Sequence, residues 1–201
     1  MGLTGGSGTG KSTALDEFAR LGARTLSLDR LAREVVRRGS SGFSKVVRIF
    51  GPKVVGEGGE LDRAELGRRV FSNPSERKDL ERLLHPMILR EMRRWMGKKT
   101  RTLSVVDVPL LFEKKLARYF DATFLIAADR KIQLKRVMER DGLAPAQARR
   151  RIALQLPQKT KQGLADVVVV NNGSKQEFKS ALRNYYKAFE LIRGGVKSWK
   201  P

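Results

Sequence analysis

The densest chemical signal in the chain is Gly5-Gly6-Ser7-Gly8-Thr9-Gly10-Lys11-Ser12-Thr13. A glycine, four residues, then glycine, lysine and a hydroxyl residue is the spacing that wraps a phosphate chain. The glycines permit tight bends that turn backbone N–H groups inward, with no Cβ to obstruct an anion. Lys11 adds a positive charge on a long arm that reaches the outer phosphates, and the Ser12 hydroxyl can ligate Mg²⁺. Gly8, Thr9, Gly10 and Thr13 complete the candidate nucleotide contacts. Leu3 precedes the loop as the tail of a strand would, and Ala14, Leu15, Phe18, Ala19 and Leu21 follow with helical spacing. A helix there points its positive end at the same anion. The stretch predicts a site for a nucleoside triphosphate and leaves the phosphate acceptor open.

The other candidate residues sit near strand ends or on basic helices. Residues 25–28 alternate as a short strand, and Asp29 follows at its carboxyl end, where open α/β sheets hold their ligands. Two compatible roles fit Asp29: a catalytic group facing the loop, or the N-cap of a helix starting at Arg30. Residues 103–108 form the clearest strand. Asp107 near its end suits either an acidic side chain that holds Mg²⁺ through water or a turn cap. Arg136 and Arg140 stand four apart on one helical face, either as charge-neutralising lid arginines or as solvated ones. Asn171 and Asn172 follow another strand end, with amides that could bond a nucleobase. His85 is the only histidine. Before Pro86 it reads as a helix-boundary residue or as a ligand contact.

The elements that must position these groups alternate as strand and helix at both ends of the chain. Met1 to Leu3 leave almost no room for a first strand. Residues 11–21 read as a helix stopped by Gly22. Residues 39–102 break the alternation. There Gly39-Ser40-Ser41-Gly42 reads as a linker and Phe43, Val46, Val47 and Phe50 as a helical stripe. Residues 51–59 form a glycine-rich turn, and a helix carries Leu66, Val70 and Phe71. Asn73-Pro74-Ser75 caps another helix, and His85-Pro86 opens the next, with Met87, Ile88, Met92 and Trp95. This is a helical insertion between a core of 1–38 and 103–201. Beyond it come a strand at 122–127, a helix ending at Asp141-Gly142, a basic helix at 146–155 and a polar loop at 157–163. Residues 141–163 together read as a lid. A strand at 167–170 and a helix with Phe178, Leu182, Tyr185, Tyr186, Phe189 and Ile192 close the chain.

The 201 residues allow one α/β domain with an insertion, or at most two small domains. There is no cysteine, which removes disulfide scaffolds and thiol metal sites. No apolar run is long enough to cross a bilayer, so a soluble, cytoplasmic protein is expected. Forty-two Lys and Arg against 21 Asp and Glu give a net charge of +21, which attracts polyanions. The charge is spread along the whole chain and is not interleaved with aromatics, which argues against a base-stacking nucleic-acid surface. Most of it reads as solvated surface.

Several strings coincide with those of one family. They are Gly2-Leu3-Thr4-Gly5-Gly6, Leu28-Asp29-Arg30-Leu31-Ala32-Arg33, Gly59-Glu60-Leu61-Asp62-Arg63 and Leu83-Leu84-His85-Pro86. Further on come Asp107-Val108-Pro109-Leu110-Leu111-Phe112-Glu113, Arg136 with Arg140-Asp141-Gly142, Arg151-Ile152 with Gln155, and Asn171-Asn172-Gly173. Across nearly its whole length the chain resembles the dephospho-CoA kinase family. The resemblance implies a nucleoside-monophosphate-kinase-like α/β fold: a five-stranded parallel sheet, a helical acceptor-binding insertion and a lid. It implies phosphorylation of the ribose 3′-hydroxyl of 3′-dephospho-CoA by ATP, with Mg²⁺. It assigns Asp29 as the base, Lys11 and Ser12 to the phosphates and Mg²⁺, and Arg140 as the lid arginine. Arg136 and Asn171 would contact ATP, and Arg33, His85, Asp107 and Leu110 the acceptor alongside Asp29. The expected assembly is a monomer or weak oligomer. One departure is Ser27, where the family often carries a second acidic residue; a single-base mechanism survives it. Two rival readings remain: a kinase of this fold with another small acceptor, and a basic nucleotide-dependent nucleic-acid binder.

Overall fold

A computed structural model of the chain describes residues 1–98 and 100–195. Along it run β1 (Gly2–Gly5), α1 (Lys11–Arg20), β2 (Arg24–Ser27), α2 (Leu28–Val35), α3 (Ser41–Phe50), α4 (Arg63–Ser72) and α5 (Pro74–Met96). Then follow β3 (Ser104–Asp107), β4 (Thr123–Ala127), α6 (Arg130–Asp141), α7 (Pro145–Ala153), α8 (Gln158–Leu164), β5 (Val167–Val170) and α9 (Lys175–Gly195). They form two compact units, Met1–Leu26 with Thr100–Pro201 and Ser27–Lys99.

The first unit is built on a five-stranded parallel sheet of order β2-β3-β1-β4-β5. Short as it is, β1 is wholly buried and lies inside the sheet. Leu3 pairs with Asp107 on one side and with Phe124 on the other. Both faces of a parallel sheet are covered, so its central strands must be largely apolar. Leu3, Val105, Val106, Phe124, Leu125 and Ile126 are accordingly fully buried. On one face Phe18 of α1 meets Phe124 edge-on at 5.6 Å, with Phe178 and Leu182 of α9 in the same cluster. Glu17 is buried between the helices, where Arg20, Lys179 and Arg183 surround it. The hydrogen bonds from Arg20, with Lys179 and Arg183 adding to them, outweigh burial and hold its carboxyl below the usual range.

The second unit is helical. Val35, Val46, Phe50, Val54, Leu66 and Met87 are at its core. It opens at Ser27 rather than at residue 39, because Leu31, Val35 and Val36 pack into this cluster. Asp62 caps α4 by accepting from the Ala64 and Glu65 amides, each at 2.9 Å. Asn73 caps α5 in the same way. The expected break at His85-Pro86 is absent: α5 is one helix of 23 residues with Pro86 inside it. Pro86 removes one helical hydrogen bond at about 3 kcal/mol. Leu80, Leu83, Leu84, Met87 and Ile88, on both sides of it, pack on the same cluster and carry the helix through.

Four other expectations need correction. The stretch 39–42 is not a free linker: Ser40 caps α3, and Gly42 is buried so tightly that an added Cβ would lie 2.2 Å from the Val35 carbonyl oxygen. Residues 157–163 are not a loop, because Gln158–Leu164 is helical. Ile192, read with the helix that packs on the sheet, is exposed, whereas α4 carries Phe71 as expected, 88% exposed. The helix after β2 starts at Leu28 with Ser27 as its N-cap, so Asp29 is not the cap.

Candidate active site

The sequence folds its glycine-rich stretch into a loop between β1 and α1. Gly8 and Gly10 adopt φ of 76° and 97°, in the left-handed region that side chains avoid. Space enforces the same choice. A Cβ on Gly8 would lie 2.6 Å from the Gln133 carbonyl oxygen, and one on Gly10 would lie 2.4 Å from Asn171 Nδ2. The Thr9 hydroxyl donates to the Gly6 carbonyl at 2.9 Å, which closes the turn. Thr9 is fully buried, and its hydroxyl is spent on this turn. The first amides of α1 have no preceding-turn carbonyl to bond. Together with the helix dipole they form an anion-binding end.

Lys11 begins α1. Its Nζ lies 3.9 Å from Asp107 Oδ1 at the end of β3. That is an ion-pair distance but too long for a hydrogen bond, so Lys11 is guided by Asp107 without being fixed to it. Ser12 is exposed in the first turn and Thr13 half-buried beside it. Among the described residues no group of three His, Cys, Asp or Glu could hold a metal. Mg²⁺ does not need one here, because it keeps several waters and binds through one or two protein oxygens plus phosphates. Ser12 and the buried Asp107 fit that limited demand.

The structure brings Asn171 and Arg136 to the same loop. Asn171 is buried and donates from Nδ2 to the Thr9 carbonyl at 2.8 Å. Arg136 donates to the Asn171 carbonyl at 3.0 Å. The Asn171 amide therefore supports the phosphate loop, and Asn172 accepts from the Asp129 amide at 2.8 Å. Arg140 behaves differently from Arg136 despite the shared face. It grips Asp141 with two hydrogen bonds of 2.8 Å, and Arg151 joins Asp141 at 3.1 Å. The Arg140 bonds, with Arg151 adding, keep the Asp141 carboxyl below its ordinary range. Leu110 lies just past β3, 37% exposed.

Three candidates belong to the helical unit. Asp29 is exposed in the first turn of α2, two residues past the end of β2. Arg33 is exposed on the same helix, and His85 is exposed in mid-α5, so it is no boundary residue.

Behind the loop lies a polar cluster of which the family strings name only Gln155 and Glu113, without a role for either. Gln155 Oε1 accepts from the Ser7 amide at 3.1 Å. Gln133 Nε2 donates to the Ala128 carbonyl and to Gln158 Oε1, and the Ala128 amide donates to the same Gln158 oxygen. Lys161, 1% exposed, pairs with Glu113 at 2.8 Å, and the Leu156 amide donates to that carboxylate. Burial alone would raise Glu113, but bonds from Lys161 and from the Glu113 and Leu156 amides outweigh it and lower its pKa. A cavity of about 420 Å³ lies between these groups and Gly6, with Leu125 and Ile152 in its walls. Gln158 and Lys161 fall in the polar part of the stretch read as a lid, where no apolar period signals that Lys161 is buried.

A parallel sheet, a glycine loop at its carboxyl edge and a lysine opening the next helix define a phosphate-loop nucleotide-binding protein. The family model described as Dephospho-CoA kinase matches residues 1–177. A Dephospho-CoA kinase of Syntrophotalea carbinolica is 42% identical over 180 residues, 88% of this chain and 85% of that protein. A solved structure from Thermus thermophilus superposes with a TM-score of 0.80 at 33% identity, covering 93% of this chain and 95% of its own. The solved Dephospho-CoA kinase from Campylobacter jejuni gives a TM-score of 0.73 at 26% identity, covering 97% and 98%. The chain belongs to the dephospho-CoA kinase family. No helix among the described residues is long and apolar enough to cross a membrane.

Proposed function

We propose that this chain transfers the γ-phosphoryl group of ATP to the ribose 3′-hydroxyl of 3′-dephospho-CoA, giving coenzyme A and ADP. The observation that carries the reading is the loop geometry: glycine-only turns, Lys11 at the helix start and Asp107 3.9 Å from its ammonium, in a chain of this family. Phosphoryl transfer asks mainly for positioning and charge stabilisation. The backbone amides from Gly8 to Thr13 hold the phosphates. Lys11 leaves its loose contact with Asp107 and follows the charge on the outer phosphates. Asp29 accepts the proton of the 3′-hydroxyl as its oxygen bonds to phosphorus and the bridging oxygen leaves with ADP. Mg²⁺, when bound, neutralises phosphate charge, and Ser12 directly and Asp107 through water are the residues that would hold it.

Arg140 and Arg136 supply further positive charge near the phosphates. Asn171 acts by fixing the Thr9 peptide, and the Arg136 contact with its carbonyl supports that arrangement. Residues 141–163 serve as the lid, and Arg33, His85 and Leu110 contact the acceptor. The chain acts in the cytoplasm as a monomer or weak oligomer, its positive charge largely solvated surface with no nucleic-acid partner. A coupled ADP-release assay with and without 3′-dephospho-CoA, beside a panel of nucleosides and nucleotides, tests the reading. ADP should appear rapidly only with 3′-dephospho-CoA. Equal turnover with a nucleoside would transfer the assignment to another small-molecule kinase.

A further inference from the structure

Ser7 lies between Gly6 and Gly8, and the two glycines leave its peptide plane free to rotate. A phosphate cradle cannot tolerate that freedom, because each amide that turns away is a lost donor. One contact removes it. The Ser7 N–H donates to Gln155 Oε1 at 3.1 Å, across 148 residues of chain. Because Ser7 brings a donor, the oxygen end of the Gln155 amide must face it, and the amine end is turned toward the Pro109 carbonyl at 3.5 Å.

Gln155 is itself held in place. The next amide, Leu156 N–H, donates to Glu113 at 3.0 Å, and Glu113 is locked by the buried Lys161 at 2.8 Å. Gln158 accepts from the Ala128 amide at 3.0 Å, just past β4. Gln155, Gln158 and Lys161 thus recur at intervals of three, and each reaches back to a different part of the sheet's carboxyl edge. This segment is a fixed base, whatever the rest of 141–163 does.

We propose that Gln155 is a positioning residue that holds the Ser7 peptide so that the phosphate loop is preformed before nucleotide arrives. It touches no reacting atom. Its loss lets the loop spread over conformations that cannot bind phosphate, and the apparent affinity falls by the fraction left competent. The proposal rests on the loop being the ATP phosphate site.

The test uses the full chain with Gln155→Ala and Gln155→Leu, the second keeping much of the apolar volume while neither donating nor accepting. Dissociation constants for ATP and for inorganic pyrophosphate are measured by calorimetry, together with steady-state kinetics and thermal melting. The expected result is that both ligands bind about three- to tenfold more weakly in both variants, the size of one lost hydrogen bond. The KM for ATP rises by the same factor, while kcat and the KM for the acceptor stay within about twofold, as for lost uniform binding. Unchanged ATP and pyrophosphate binding, with only a lowered melting temperature, would leave Gln155 a plain structural strut and overturn the proposal. Wild-type protein that bound neither ligand would overturn the loop reading beneath it as well.

Discussion

The two units solve different problems with different materials. The sheet unit makes its site from backbone: glycine φ angles, helix-end amides and a strand-end carboxylate. Its supporting side chains, Asn171 and Gln155, bond to the loop's own peptide groups. The helical unit offers Asp29, Arg33 and His85 on exposed helical surface, above a core of Val46, Phe50 and Met87. A backbone site tolerates almost no substitution, because φ and space both forbid it. A side-chain site on helices can be rebuilt without changing the fold. Under the proposed function, the sheet unit serves the phosphates and the helical unit the acceptor.

That contrast can be broken or sharpened by experiment. The largest effect is expected in the sheet unit. Lys11→Ala should cost roughly 3–5 kcal/mol of transition-state stabilisation, about 10²–10⁴ in rate, with circular dichroism and melting temperature unchanged. Next comes the helical unit's chemistry. Asp29→Asn should lower kcat about 10²-fold or more while ATP affinity, read by calorimetry, holds. Normal turnover by that variant would remove Asp29 as the base.

A smaller effect tests the units as structures. Asn73→Ala removes the cap of α5 and should destabilise the protein by about 1 kcal/mol, seen as a lower urea midpoint with ATP binding intact. Weakened ATP binding would mean that the phosphate site depends on the helical unit.

The smallest effect is conditional on pH. The Glu17 carboxyl is lowered from its ordinary 4.5, chiefly by Arg20. A depressed folded-state value adds stability that is fully present above the ordinary range and is lost as pH falls through the folded value. Glu17→Gln should therefore show less acid sensitivity. The urea midpoints of variant and wild type should converge as pH drops from neutral to below about 4.5. Parallel midpoints across that range would show that Glu17 carries no linked proton.

What the sequence determined by itself was local. The phosphate loop, the strands at β3, β4 and β5, the Gly22 and Gly142 stops and the Asn73 cap are all written in neighbouring residues, since turn chemistry and apolar period act over a few positions. The strings around Asp107, His85 and Asn171 carried the family. Only the tertiary structure decided where local signals conflict with distant burial. Pro86 says stop, yet packing on both sides keeps α5 whole. Pro157 and Gly163 say loop, yet Lys161 finds Glu113 and the segment turns helical. The same holds for Gln155 and Ser7: a hydrogen bond between residues so far apart leaves no pattern in either neighbourhood, and only the folded chain brings donor and acceptor together.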